Sequence, residues 1–279
     1  MVKLGGPLFG NYDDPSQWAS AVRAKGYRAA YCPVGADADS DTVAAYARAA
    51  ESAGVTIAEV GAWSNPLSPD SAVAEAATAH CIRQLALADC IGALCCVNIA
   101  GSRGEQWDGP HPENLTPETF DRIVEVVRTI IDAVRPTRTC YALETMPWMY
   151  PDSPESYLRL LKAIDRPAFG VHLDPVNLVC SPQRFFANGN LIRSCFAQLG
   201  PWIKSCHAKD ILLAPRLTTH LDEVRPGEGG LDYAVFLTEL DRLNPTPPLM
   251  LEHLQTEQEY DLAADHIRTV AGKVGVIIE

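Results

Sequence analysis

None of the nine cysteines, at positions 32, 81, 90, 95, 96, 140, 180, 195 and 206, forms a Cys-x-x-Cys pair, and their number is odd. Both facts argue against a closed disulfide framework and against a zinc site of the usual paired spacing. Most lie in apolar runs and read as reduced core residues. Cys206, beside His207, is the best placed to act as a nucleophile, but adjacent strand residues face opposite ways. No stretch approaches the roughly 20 apolar residues of a membrane span, so no membrane partner is expected. Met1-Val2-Lys3-Leu4-Gly5-Gly6 lacks a signal-peptide core, which makes a cytoplasmic location the expectation. Lys and Arg number 23 against 35 Asp and Glu, a formal charge of −12, and no basic cluster stands out. A nucleic-acid partner, which needs clustered cations to release counterions, is therefore not expected. Low-complexity tracts and tails are also missing.

What is present is the composition of an ordinary globular protein, 47% hydrophobic and 21% charged. The 279 residues suit a single (β/α)8 TIM barrel, for which about 250 is typical, so one α/β domain over residues 1–279 is expected. Apolar or β-branched runs alternate with amphipathic stretches from end to end, the signature of a parallel sheet. Eight runs read as strands: Lys3–Leu8, Arg28–Pro33, Thr56–Ala62, Ile91–Ile99, Arg138–Leu143, Ala168–Leu173, Ile203–Cys206 and Leu249–Leu251. That number favours closure into a barrel. Thr116-Pro117, Ser153-Pro154 and Ser181-Pro182 each place an N-cap hydroxyl before a proline at the first helical position. Further helices are expected over about 15–25, 41–53, 70–89, 232–243 and 257–272. Two connections exceed the usual two to six or so residues. Gly101–Leu115, with Arg103, Trp107 and His111, is a candidate lid; Ile211–Gly230 carries Arg216, Arg225 and a Gly-Glu-Gly-Gly turn.

Four side chains sit where a strand-like run gives way to a loop: Glu144 after Thr139–Leu143, Asp174 after Ala168–Leu173, His207 after Ile203–Cys206, and Glu252 after Leu249–Leu251. In a parallel barrel the carboxyl ends of the strands meet on one face, so residues far apart in sequence become neighbours there. Taken singly, each is explained as a cap or an ion-pair partner. Falling together at the ends of strands five to eight, three carboxylates and an imidazole form a ligand set for one divalent metal. Mn²⁺ is the first choice, with Mg²⁺, Co²⁺ or Zn²⁺ as alternatives.

The pieces Leu143-Glu144-Thr145-Met146-Pro147, Val171-His172-Leu173-Asp174-Pro175-Val176-Asn177, Cys206-His207-Ala208-Lys209-Asp210, Arg225-Pro226-Gly227-Glu228-Gly229 and Leu251-Glu252-His253 resemble the xylose-isomerase-like sugar isomerases and epimerases, which include the ketose 3-epimerases. The resemblance implies that Glu144, Asp174, His207 and Glu252 bind one metal ion. It also implies that Glu144 and Glu252 are catalytic, one removing a proton beside a substrate carbonyl and the other returning it from the opposite face, through an enediolate. The substrate is then a ketose or related keto-sugar, or a polyol-derived ketone, and a homo-oligomer is an admissible assembly. A lyase or dehydratase acting on an inosose or keto-glycoside by the same proton abstraction is the alternative, and a non-catalytic sugar-binding subunit a third. One departure concerns the substrate: Asn177 stands where ketose 3-epimerases usually carry histidine. Another is Asn98, which replaces a ligand at the end of the fourth strand and disfavours a trinuclear DNA-cleaving site.

Substrate contacts are expected from Asn177, Lys209 and Arg225. Lys209 and Arg225 are equally explained by surface pairing with Asp210, Glu223 or Glu228. His111 is a further candidate, and Trp63, Trp107 and Trp148 offer flat rings to a sugar, although rim packing explains them as well. The glycine turn reads as a plain turn followed by an Asp232 N-cap rather than a phosphate cradle, which favours a neutral sugar. His172 is expected as a hydrogen-bonding residue inside the barrel, and His253 is expected to point away from the site.

Overall fold

The computed structural model describes all 279 residues. Ten strands form: β1 (Leu4–Gly5), β2 (Ala29–Tyr31), β3 (Thr56–Gly61), β4 (Cys95–Asn98), β5 (Tyr141–Glu144), β6 (Phe169–Leu173), β7 (Ile203–Ala208), β8 (Asp210–Ala214), β9 (His220–Val224) and β10 (Leu249–Leu251). Eight of them close a parallel barrel in the order β1, β10, β7, β6, β5, β4, β3, β2, while β8 and β9 make a separate antiparallel ribbon. Nine α-helices accompany them: α1 (Pro15–Ala24), α2 (Ser40–Ala53), α3 (Ser71–Ile91), α4 (Pro117–Val134), α5 (Pro154–Ile164), α6 (Pro182–Phe186), α7 (Asn188–Leu199), α8 (Tyr233–Asp241) and α9 (Glu257–Val274).

The three Ser/Thr-Pro starts all cap helices: the Thr116, Ser153 and Ser181 hydroxyls accept from the third backbone N–H beyond them. Outward-facing strand residues such as Tyr141, Leu143, Val171 and Cys206 join the inner faces of the helices in one continuous apolar core. Small side chains fill the inside of the barrel, among them Ala29, Ala58, Cys95, Val97, Cys140 and Ala142. Gly5 belongs to this inner wall, since a Cβ there would meet Ala29 O at 2.5 Å and Met250 Sδ at 2.6 Å.

Several expected boundaries shift. The first strand shrinks to two residues because Pro7 has no N–H to give a ladder. Ile91 closes α3 instead of opening β4; the break is Gly92, left-handed at φ 80°. Residues Ile211–Gly230 are not one open excursion, because the β8–β9 ribbon occupies most of them. The expected lid is pinned: Asn114, fully buried, takes the Arg103 N–H at 2.8 Å and donates to Gly109 O. Cys90 and Cys180 are exposed, unlike the core thiols around them.

Two register shifts turn side chains inward against simple alternation. Between β2 and β3 the pairing steps from Ala30–Ile57 to Tyr31–Glu59, so Ala58 and Glu59 both face the interior. Between β6 and β7 it steps from Val171–Ile203 to His172–Ser205, with Lys204 as the extra residue.

Tyr157 of α5 locks β5 to β6. Its buried hydroxyl accepts from Leu143 N and His172 N and lies 2.6 Å from Leu143 O and 3.0 Å from Gly170 O as acceptors. Tyr157→Phe leaves these groups unpaired and should lower stability by about 1–3 kcal/mol. Urea denaturation checks this, and an unchanged midpoint would count against the bridging role.

Candidate active site

β5, β6, β7 and β10 deliver Glu144, Asp174, His207 and Glu252 to one place at the carboxyl-terminal face. Glu144 ends its strand, Asp174 and Glu252 follow theirs, and His207 lies within β7, one residue short of its end. One ligating atom from each falls within 4.8 Å of those of the other three. His207 Nδ1 lies 3.0 Å from Glu144 Oε1 and 2.8 Å from Glu252 Oε1. Thr145 clasps the neighbouring strand ends, its hydroxyl donating to Asp174 O at 2.7 Å and accepting from Asp174 N at 3.0 Å. Asp174 Oδ1 then accepts from Val176 N at 2.9 Å and Asn177 N at 3.3 Å, which leaves Oδ2 directed at the cluster.

Lys209 is part of this cluster, not of the surface. Almost fully buried, its ammonium stands 2.6 Å from Glu252 Oε1, 2.9 Å from Asp174 Oδ2, 3.6 Å from Glu223 and 3.7 Å from Glu144. Burial works against its charge, but the surrounding carboxylates, Asp174 foremost, hold its pKa well above the ordinary lysine value. Burial also opposes the charge on Glu144, yet Lys209 and His207 leave that carboxyl below its usual range. Glu252 is held low in the same way, chiefly by His207. Asp174 goes the other way: burial outweighs Lys209 and raises it to about 6.

Asp174 Oδ2 and Glu252 Oε1 are buried and accept no directed hydrogen bond, even though the Lys209 ammonium is close. Converging carboxylate oxygens beside an imidazole nitrogen fit a divalent cation. The nitrogens near them are the Lys209 ammonium, 2.9 Å from Asp174 Oδ2 and 2.6 Å from Glu252 Oε1, and His207 Nδ1, 2.8 Å from Glu252 Oε1.

Beneath the cluster lies Glu59, whose part in the site the sequence reading missed. Its buried carboxylate takes His172 Nε2 at 2.9 Å and the Ser205 hydroxyl on Oε1, and His207 Nε2 at 3.3 Å on Oε2. His172 is thus the interior hydrogen-bonding residue expected of it, its ring edge-on to His207 at 4.1 Å between centroids. By occupying Nε2, Glu59 turns Nδ1 of His207 toward the carboxylates.

The remaining candidates separate into two groups. Asn177 reaches the cluster, donating to Glu144 Oε1 at 3.2 Å and Thr145 O at 3.1 Å. Arg225 stays on its loop and pairs with Glu228 at 2.7 Å. His111 caps a short 3₁₀ turn by accepting from Glu113 N. Trp63, Trp107 and Trp148 remain partly exposed after β3, β4 and β5; Trp148 Nε1 donates to Asp108 O at 2.7 Å and ties two of these loops together. His253 departs from its expected outward direction. At φ 60° its ring turns back to 3.1 Å from Glu223 and 3.7 Å from Glu252. Asp210, also missed, organises the glycine turn: its carboxylate accepts from Gly227, Gly229 and Leu231 N–H at 2.8–3.1 Å. Asp232 caps α8 as expected.

Glu59→Ala strips three buried donors of one shared acceptor and should destabilise the chain by about 3–5 kcal/mol. Glu59→Gln, which keeps an acceptor oxygen, should cost less. Thermal and urea unfolding of both variants test this; equal stability of wild type and Glu59→Ala would dismiss the network.

No curated protein matches this chain by sequence. Several solved structures share its fold. A xylose isomerase-like TIM barrel protein from Mycobacterium smegmatis, in complex with magnesium, aligns at TM-score 0.66 and 18% identity over 98% of this chain and 96% of its own. The 3-keto-D-glucoside 4-epimerase YcjR from E. coli aligns at 0.70 and 14% identity, over 96% and 100%. The probable 3-DHS dehydratase AsbF from Bacillus anthracis aligns at 0.70 and 18%, over 97% and 99%. Residues 19–270 match the family model described as xylose isomerase-like TIM barrel. With that match spanning nearly the whole closed barrel, the chain belongs to the xylose isomerase-like TIM barrel family.

Proposed function

We propose that this protein is a divalent-metal-dependent sugar isomerase or epimerase, acting on a ketose or related keto-sugar by moving the proton on the carbon beside its carbonyl. The observation that carries the reading is the pair Glu144 and Glu252, whose carboxylate oxygens both approach His207 Nδ1, at 3.0 and 2.8 Å, at the carboxyl-terminal face of the barrel. Glu144, Asp174, His207 and Glu252 would hold the ion, Mn²⁺ by preference and Mg²⁺, Co²⁺ or Zn²⁺ otherwise. Bound there, a divalent ion supplies Lewis acidity that makes a C–H beside a carbonyl easier to ionise.

The chain's own groups do the rest. Glu144 and Glu252 are kept ionised by Lys209 and His207 and so are able to accept a proton. Asn177 fixes Glu144 by donating to its Oε1 at 3.2 Å. Lys209, among these carboxylates, is placed to stabilise negative charge developing on a substrate oxygen. Trp63, Trp107, Trp148, His111 and Arg225, on loops after barrel strands, supply the outer contacts of the sugar. Asp210 already occupies the N–H groups of the glycine turn, and this favours a neutral sugar over a phosphorylated one at this face. Nine free thiols suit a reducing compartment such as the cytoplasm. No helix is long and apolar enough to cross a membrane.

A second reading keeps the proton abstraction and ends in loss of a β-substituent, as in a lyase or dehydratase. It is favoured by Asn177, which cannot carry the charge of the histidine found in ketose 3-epimerases, and by the fold shared with AsbF.

Glu144→Gln and Glu252→Gln should each lower kcat by about 10²–10⁴-fold with folding intact, as loss of a proton-transfer group does. Full activity in either variant rules out the two-glutamate reading. Turnover of free ketoses, inososes and keto-glycosides in D₂O separates the outcomes. Solvent deuterium in recovered epimer supports the isomerase or epimerase, and an enone or a released leaving group supports the lyase.

A further inference from the structure

At the opposite, amino-terminal mouth of the barrel lies a cavity of about 630 Å³, bounded by residues that begin or precede most of the barrel strands. Its wall carries Lys3, Arg138, Lys204 and Arg242 and no aspartate or glutamate, in a chain whose formal charge is −12. Two of these cations are already engaged. Arg242 pairs with Glu239 at 2.6 Å, and Arg138 donates to Cys90 O at 3.2 Å. Lys3 has only a neutral partner, the Thr56 hydroxyl at 2.7 Å. Lys204, half-buried, has neither an ion pair nor a hydrogen-bond partner.

The register shift between β6 and β7 explains how Lys204 comes to be there. As the extra residue of that bulge it turns inward together with Ser205, and its stem packs so closely on Gly170 that a Cβ there would meet Lys204 Cγ at 2.9 Å. Its charge is near enough to oppose the burial that pushes the Cys140 thiol up to about 12. On the same wall the Thr139 hydroxyl, nine-tenths buried, is without a partner. An ammonium with no counter-charge, on a wall that carries other cations and no acid, is a ready partner for an anionic ligand.

We infer that this cavity binds a phosphate-type oxyanion, with Lys204 and Lys3 as its charged contacts. Lysine ammoniums engage phosphate as compact point charges, and two that lack a counter-charge lie on this wall. Its volume falls in the range of small-molecule sites, about 300–1,000 Å³, so a phosphate ester fits as well as the free ion. The site is separate from the carboxylate cluster and does not depend on the proposed reaction.

Calorimetric titration of the full chain with inorganic phosphate and with a hexose monophosphate, at fixed ionic strength, tests the inference. Saturable binding is expected, weakened at least about tenfold by Lys204→Gln or Lys3→Gln, as the loss of one charge-assisted contact implies. Lys273→Gln, the same charge change on an exposed helix, should bind like wild type. Tighter binding of the ester identifies a phosphorylated metabolite as the ligand, and equal binding identifies free phosphate. Absence of saturable binding by both probes overturns the proposal. So does binding as tight in Lys204→Gln and Lys3→Gln as in Lys273→Gln, or binding abolished by Lys209→Gln, which would place the anion at the other mouth. If Lys204→Gln does not fold, Lys3→Gln decides.

Discussion

Three largely buried carboxylates gathered with one imidazole, their ligating atoms within 4.8 Å of one another, repel one another unless positive charge is held among them. Glu144, Asp174 and Glu252 share that predicament at the carboxyl-terminal mouth, and His207 and Lys209 answer it from within. Much of the local architecture serves to keep this arrangement in place. Thr145 clasps β5 to β6, Tyr157 bridges the same two strands from α5, and Glu59 braces His207 from below. The uneven compensation is visible in the acids themselves. Glu144 and Glu252 stay ionised, whereas Asp174, the most deeply enclosed, is left near 6 with Oδ2 lacking a directed donor.

The barrel carries opposite charge at its two mouths. Strand ends at the carboxyl-terminal face collect acids, and strand beginnings at the amino-terminal face collect Lys3, Arg138, Lys204 and Arg242. Bulges give both ends side chains that regular alternation would have turned away. One aims Glu59 at His207, and the other brings Lys204 and Ser205 inward together, so that Ser205 reaches Glu59 while Lys204 reaches the cavity below.

Those bulges also explain what could be read from the letters alone. The eight strands and the convergence of Glu144, Asp174, His207 and Glu252 were legible because a closed parallel barrel gathers carboxyl strand ends whatever the local register. Glu59 was not, since an added residue reverses the side-chain parity on which a strand reading rests. Lys209 was ambiguous for another reason: a flexible four-carbon stem after a strand reaches inward or outward equally well, and only the acids assembled around it decide. His253 illustrates a third limit, because its left-handed backbone obeys neither the strand period nor the usual turn residues. The β8–β9 ribbon escaped notice because its second strand, His-Leu-Asp-Glu-Val, carries little apolar signal.

Titration of chelator-treated protein with Mn²⁺, followed by calorimetry on wild type and on Asp174→Ala, examines the cluster most directly. One ion per chain is expected, with much weaker binding in the variant. A carboxylate raised to about 6 holds its proton below that value, so affinity should fall as pH is lowered through about 6 and recover above it. Wild-type protein that takes up no divalent ion, or a variant that binds it as tightly, would contradict the assignment of Glu144, Asp174, His207 and Glu252 as one metal site.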